Sequence, residues 1–142
     1  MAEKSKSQTN KTNTNDPSFD LEIAGTNRTP EVILKAEQGL ISIKGCSMPA
    51  NVNQFFSPVL DSLNQYIRQP APRTRVVFDL EYVNSSSSQL ILAILFKLKE
   101  LVDKGHKLTV EWHYMYEDED IYETGKSYSE LSGIPFDYHE HD

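Results

Sequence analysis

The sequence predicts a small α/β sandwich built on one mixed β-sheet, with elements in the order β-β-α-β-α-β-α-β. Three observations carry this reading. Residues 51–68 and 89–104 repeat apolar side chains at helical spacing, while 74–83 and 107–116 alternate with the period of two that marks a strand. Strand and helix then take turns along the chain, which calls for parallel strands joined by right-handed crossovers. Ahead of them lie two short β-rich runs close enough together to form a hairpin.

The hairpin strands are Glu31–Ala36 and Gly39–Lys44, separated by Glu37-Gln38-Gly39. Asn51–Arg68 places Phe55, Phe56, Val59, Leu60, Leu63, Tyr66 and Ile67 on one side of a helix. Proline suits only a first helical turn, so the regular helix is expected to begin at Ser57-Pro58, and Gln69-Pro70-Ala71-Pro72 stops it. Thr74–Val83 reads as a central strand with Val76, Phe78, Leu80 and Tyr82 on one face and Val77, Asp79 and Glu81 on the other. Asn84–Ser88 breaks that strand. Gln89–Lys104 follows as a helix with Ile91, Ile94, Leu95, Leu98 and Val102 facing the core, and Lys104-Gly105 supplies its stop. In Lys107–Tyr116 the residues Leu108, Val110, Trp112, Tyr114 and Tyr116 share a face. Glu117–Ser132 suits a short surface helix closed by Gly133. Ile134–His139 is expected at a sheet edge, because Pro135 has no N–H for a central ladder.

At 142 residues the chain fits one domain, assigned to 18–142 after a polar tail over 1–17 with too little to bury to offset its ordering entropy. No apolar run approaches the ~18 residues of a membrane span; the longest, Leu90–Phe96, has seven. The N-terminus shows no secretory h-region, so a cytoplasmic protein is expected. One cysteine, Cys46, excludes an internal disulfide and a cysteine zinc site. The net charge is −7, and the tail carries +1 of it. From Glu111 to Asp142 there are ten carboxylates and one lysine. Nucleic-acid binding rests on clustered Lys and Arg, so no nucleic-acid partner is expected.

The most unusual local sequence is Asn84-Ser85-Ser86-Ser87-Ser88, where a strand ends and a helix starts. One reading is a plain helix cap, for which a single Asn or Ser suffices. The other is an anion or phosphorylation site, since helix N–H groups and the macrodipole favour negative charge beyond the carboxyl ends of strands. The remaining constellations read as structural. No phosphate-loop, nucleophile-elbow, zincin or dinucleotide motif occurs. His139-Glu140-His141-Asp142 reads as a solvated tail, Glu117-Asp118-Glu119-Asp120 as a solvated acidic turn, and Cys46 as a small buried hydrophobe, so no metal and no cofactor are expected. His113 lies on the polar phase of its strand and reads as a hydrogen-bonded surface residue. An enzyme using Asn84, Ser85 and His113 lacks the base–orienter pair such chemistry needs.

Five segments together resemble a known family. They are Gly25-Thr26-Asn27-Arg28-Thr29-Pro30, Gly45-Cys46-Ser47-Met48-Pro49-Ala50-Asn51, Leu80-Glu81-Tyr82-Val83-Asn84-Ser85-Ser86-Ser87, Gly105-His106-Lys107 leading into Val110-Glu111-Trp112-His113-Tyr114, and Ile134-Pro135-Phe136. In combination the chain resembles the SiaC-type regulatory phosphoproteins from about Ile23 to Tyr138. The resemblance implies a fold similar to the STAS domains of anti-sigma-factor antagonists and a switch that is not an enzyme. A cognate kinase would phosphorylate a hydroxyl at the helix start, and a metal-dependent phosphatase would remove the phosphate. The unmodified protein would bind an effector, expected to be a diguanylate cyclase that it activates in cyclic-di-GMP and biofilm signalling. An anti-sigma-factor antagonist controlling transcription is the alternative. The family's acceptor follows the Asn directly, which carries over to Ser85, with Ser86 and Ser87 as alternatives and Ser88 as a further competitor. The implied partner surface is Tyr82, Asn84, Ser85, Ser86 and Ser87.

Overall fold

The computed structural model describes residues 20–142, and the tail expected over 1–17 lies outside them. Nine elements follow one another: β1 (Leu21–Ile23), β2 (Glu31–Lys35), β3 (Leu40–Ser47), α1 (Val52–Arg68), β4 (Arg73–Val83), α2 (Ser85–Asp103), β5 (Lys107–Met115), α3 (Glu119–Ser132) and β6 (Phe136–His141). The six strands form one sheet in chain order, with β1, β2 and β3 antiparallel and β3, β4, β5 and β6 parallel. The expected mixed α/β architecture is present with one strand more than the sequence announced. β1 has only three residues, too few to show an alternation, and it is held by pairing with β2 and by Asp20 Oδ1, which accepts from the Ala36 amide at 2.8 Å.

The parallel crossovers all advance in one direction, so the helices share one face of the sheet. Burial follows. Val32, Leu34, Ile41, Ile43, Val76, Phe78, Leu80, Val110, Trp112 and Phe136 point to the covered side and are buried. They meet Phe56, Val59, Leu63 and Tyr66 of α1, Ile91, Ile94, Leu95, Leu98 and Leu101 of α2, and Ile121 and Tyr128 of α3. The other phase of the same strands carries Arg75, Asp79, Glu111, His113, Asp137 and His139 and is partly to fully exposed. On that open face Arg75 grips Glu111 through two hydrogen bonds, at 2.6 and 3.1 Å. The carboxyl is held down at about 2 from its ordinary 4.5, chiefly by Arg75 and further by His113, against the opposing pull of desolvation.

Four expectations are corrected. α1 begins at Val52 and not near Ser57: Asn51 Oδ1 caps it by accepting from the Gln54 amide at 3.1 Å. Pro58 then lies inside the helix, where it removes one backbone bond, but Gln54 and Pro58 both face solvent, so the freed carbonyl finds water. α2 begins at Ser85 and not at Gln89, because Asn84 is its cap and the serines are its first turn. Leu101, fully buried, takes the core position expected for Val102, which is exposed. Tyr82 and Tyr116, expected on the core faces of their strands, are 52% and 60% exposed: the pairing of β4 with β3 skips Glu81, so Tyr82 falls opposite Cys46 and changes phase, and Tyr116 lies beyond the end of β5.

Two glycines are fixed by contact. Gly39 has φ +63° in the hairpin, and a Cβ there would sit 2.2 Å from the Arg73 carbonyl oxygen. Gly125, in the middle of α3, lies against Trp112, whose indole N–H donates to the Ile121 carbonyl at 2.9 Å and whose ring packs edge-on to Tyr128. A Cβ on residue 125 would fall 2.4 Å from the indole nitrogen. Helix propensity alone would favour alanine there by ~1 kcal/mol, yet the fully buried indole has nowhere to retreat. Gly125→Ala is therefore expected to destabilise the fold by ~1–3 kcal/mol, read as a lower urea midpoint; an unchanged or raised midpoint contradicts this packing.

Candidate functional site

The carboxyl ends of β3, β4 and β5 and the amino ends of α1, α2 and α3 lie on one rim of the sheet, and the three helix caps are Asn51, Asn84 and Asp118. In open α/β sheets this rim is where ligands and partners are met. Three of the segments singled out in the sequence converge there. The Met48 amide donates to the Arg28 carbonyl at 2.8 Å, and Gly45 lies against Pro30. The Asn84 amide donates to the Ser47 carbonyl at 3.0 Å, which ties the end of β3 to the start of α2.

The five-residue polar cluster divides by role. Asn84 Oδ1 accepts from the Ser87 amide at 2.9 Å, and its carbonyl accepts from the Ser88 amide at 3.0 Å. Ser87 is wholly buried and its hydroxyl meets that of Ser47, also wholly buried, at 2.8 Å. Ser88 is half-buried with its hydroxyl against the Tyr128 phenol, and burial raises the Tyr128 pKa. Ser85 and Ser86 remain exposed. As the first two helical residues they present amides that no intrahelical carbonyl can satisfy. Ser87, expected as an alternative acceptor and as a surface contact, is withdrawn by the fold, because the third helical position turns inward over Ser47.

The surroundings are acidic. Glu81, Tyr82, Asp118, Asp120 and Thr124 line a cleft beside the end of β4. Asp118 caps α3 by accepting from the Ile121 amide at 3.1 Å, so the acidic turn is in part structural. Cys46, expected to be buried, is half-buried at the bulge of β3 with its thiol 4.0 Å from Glu81. His113 is hydrogen-bonded as expected, to Glu111 and His141. It pairs in register with Asp79, five residues before Asn84 on β4, and belongs to the open face. About 16 Å of strand separates that register position from Asn84, the residue before Ser85, so the structure does not bring His113 and Ser85 together. The contribution of Ser47 escaped the sequence reading. Its signal is the inward phase of β3, on which a lone hydroxyl demands a buried partner.

The rim presents exposed hydroxyls at a capped helix start, an arrangement able to carry a regulatory phosphate. Comparison with known proteins agrees. Residues 23–141 match the model of the SiaC family regulatory phosphoproteins, and the chain belongs to that family. The SiaC chain in the crystal structure of the Pseudomonas aeruginosa diguanylate cyclase SiaD in complex with its activator SiaC is 29% identical and superposes with a TM-score of 0.80, over 86% of this chain and 100% of that one. Apo-SiaC from the same organism gives 28% identity and a TM-score of 0.76, over 84% and 98% of the two chains. An uncharacterized protein of P. aeruginosa strain UCBPP-PA14 is 29% identical over 123 residues, covering 87% of this chain and 98% of its own length. Among the described residues no helix is long and apolar enough to cross a membrane.

The division of the serines has a measurable consequence. Ser87→Ala strands the buried Ser47 hydroxyl and is expected to cost ~1–3 kcal/mol, and Asn84→Ala ~1 kcal/mol through loss of the cap. Ser85→Ala, on the surface, should change stability, read from urea unfolding, by less than ~0.5 kcal/mol. Equal effects at Ser85 and Ser87 would contradict the burial pattern.

Proposed function

We propose that this chain is a phosphorylation-controlled activator of a diguanylate cyclase, with Ser85 as the phosphoacceptor. The observation that carries the reading is the contrast within the serine cluster: Ser85 is exposed at the first position of α2 directly after the capping Asn84, whereas Ser87 is wholly buried. The contact surface is Tyr82, Asn84, Ser85 and Ser86. A cognate kinase and a metal-dependent phosphatase act on the same hydroxyl. The cyclase as effector is supported by the SiaC chain that superposes on this one and whose complex partner is a diguanylate cyclase.

Phosphorylation adds about −1.5 to −2 charges. At a helix start the fold accepts them, with a gain of ~0.3–1 kcal/mol from the macrodipole and the free amides. Docking does not accept them. A partner groove that closes over a neutral hydroxyl must desolvate the dianion, and the neighbouring Glu81, Asp118 and Asp120 offer no counter-charge. The modification therefore changes what binds and leaves the structure that binds it intact.

Co-expression with the cognate kinase should yield a species about 80 Da heavier by intact mass, absent in Ser85→Ala. Ser85→Asp should weaken capture of the cyclase about 5–150-fold, while Ser85→Ala binds whether or not kinase is present. Phosphate uptake by Ser85→Ala at the wild-type level would assign the acceptor elsewhere. Wild-type binding by Ser85→Asp together with loss of phosphate in Ser85→Ala would separate the modification from the docking surface.

A further inference from the structure

The open face of the sheet carries a second cluster, remote from the rim serines. Three of the chain's four histidines, His113, His139 and His141, gather there with Glu111. β5 and β6 run parallel with His113 opposite His139, and alternation places His141 on the same face as His139. The edge strand expected over Ile134–His139 extends to His141, so Glu140 and His141, read as tail, are exposed but paired with β5.

We infer that Glu111, His113 and His139 form a binding site for a divalent transition-metal ion of the zinc class. One ligand atom from each lies within 4.8 Å of the other two. Glu111 Oε1 and His113 Nε2 are 2.9 Å apart, and tetrahedral coordination with bonds of ~2.0–2.2 Å sets neighbouring ligands about 3.3 Å apart. A metal ion taking the place of the proton between them needs only a few tenths of an ångström of opening. His139 is exposed, and its ring already lies parallel to that of His113 with centroids 4.6 Å apart, so a side-chain rotation completes the set.

The supporting shell is built. Arg75 fixes the carboxylate of Glu111. On the other side of His113, Nδ1 faces His141 Nε2. A proton has to lie between these two nitrogens, since two lone pairs would repel. In the metal-free chain Nε2–H donates to Glu111; once a metal ion displaces that proton, Nδ1 takes the proton shared with His141 and donates to it, the outer hydrogen bond that metal-bound imidazoles use. His141 is therefore a positioning residue. Asp79 and Asp137, the register partners of His113 and Glu111, leave the surroundings acidic and suited to a cation. Two imidazoles with one carboxylate favour zinc, cobalt, nickel or copper over magnesium and calcium, which prefer all-oxygen sites.

Bound metal would pin the edge strand β6 to β5, so occupancy has a readout in stability. The experiment uses the untagged full chain stripped with chelator and titrated with Zn²⁺ by calorimetry, with a parallel thermal melt. One equivalent of Zn²⁺ is expected to bind and to raise Tm, with no response to Mg²⁺. His139→Ala should weaken binding by well over tenfold and abolish the rise, His141→Ala should cost about 10–100-fold as an outer partner, and His106→Ala should change neither. Zn²⁺ uptake by His139→Ala equal to wild type would move the site to the acidic rim and overturn the inference, as would the absence of any binding by the wild type. Cobalt(II) tests the site without mutation: intense visible bands mark tetrahedral nitrogen and oxygen ligation, and the faint spectrum of the aqueous ion would count against it.

Discussion

Asn84 makes three hydrogen bonds within one residue of chain, and the geometry of the rim depends on them. Its amide donates to Ser47, its side chain accepts from Ser87, and its carbonyl accepts from Ser88. The first ties the start of α2 to the end of β3, and the others set the direction in which the helix leaves the sheet. Once that direction is fixed, the position of each serine on the helix decides its exposure. Ser85 and Ser86 face outward, Ser87 lies over Ser47, and Ser88 reaches Tyr128. A shift of one residue in the cap would exchange the exposed hydroxyl for the buried one. The five-residue polar cluster is therefore no redundancy: it divides into a cap, an exposed pair, a buried anchor and a link to α3.

Much of this was legible beforehand because the signals were local. The alternation in β4 and β5 and the apolar periodicity of α1 and α2 fixed element type, and the Asn-Ser junction marked a helix start. What escaped was decided by partners distant in sequence. β1 is too short to show a pattern and exists through β2. Tyr82 alternates correctly in the sequence, yet a register shift against β3 turns it to the other phase, and Tyr116 lies past the end of β5. Pro58 misplaced the start of α1 because a rule about backbone donors carries no knowledge of which helix face meets water. The burial of Ser87 depends on Ser47, 40 residues away. The edge strand expected to end at His139 runs on to His141, because its parallel pairing with β5 was invisible from those residues.

The two faces of the sheet do different work for the same reason. Three crossovers of one hand place every helix on one side, so that side becomes a dry apolar layer around Trp112, Phe78 and Leu98. The other side is closed only by its own side chains, and in their place it holds ion pairs and imidazoles. The partly buried Glu111 is tolerated there because Arg75 and His113 both meet its carboxylate. The rim between the faces is neither, and it is where a change of charge can be read by another molecule without disturbing either layer.

The balance of energies at that rim explains why a switch of this kind need not unfold anything. A phosphate on the first helical residue meets two unused amides and the positive end of α2, a local gain of at most ~1 kcal/mol. The carboxylates of Glu81, Asp118 and Asp120 line the cleft beside the end of β4, and across a solvated surface their repulsion of such a phosphate is screened. Both effects are small beside the stability of a domain, so such a modification leaves the folded state in place. A docked partner removes the screening water. The repulsion then grows as the dielectric falls, and the desolvation of the dianion is added to it. In the proposed switch the acidic cluster, harmless in the free protein, would thus add to the effect of one phosphate at the interface, where the amides alone are too weak to offset it.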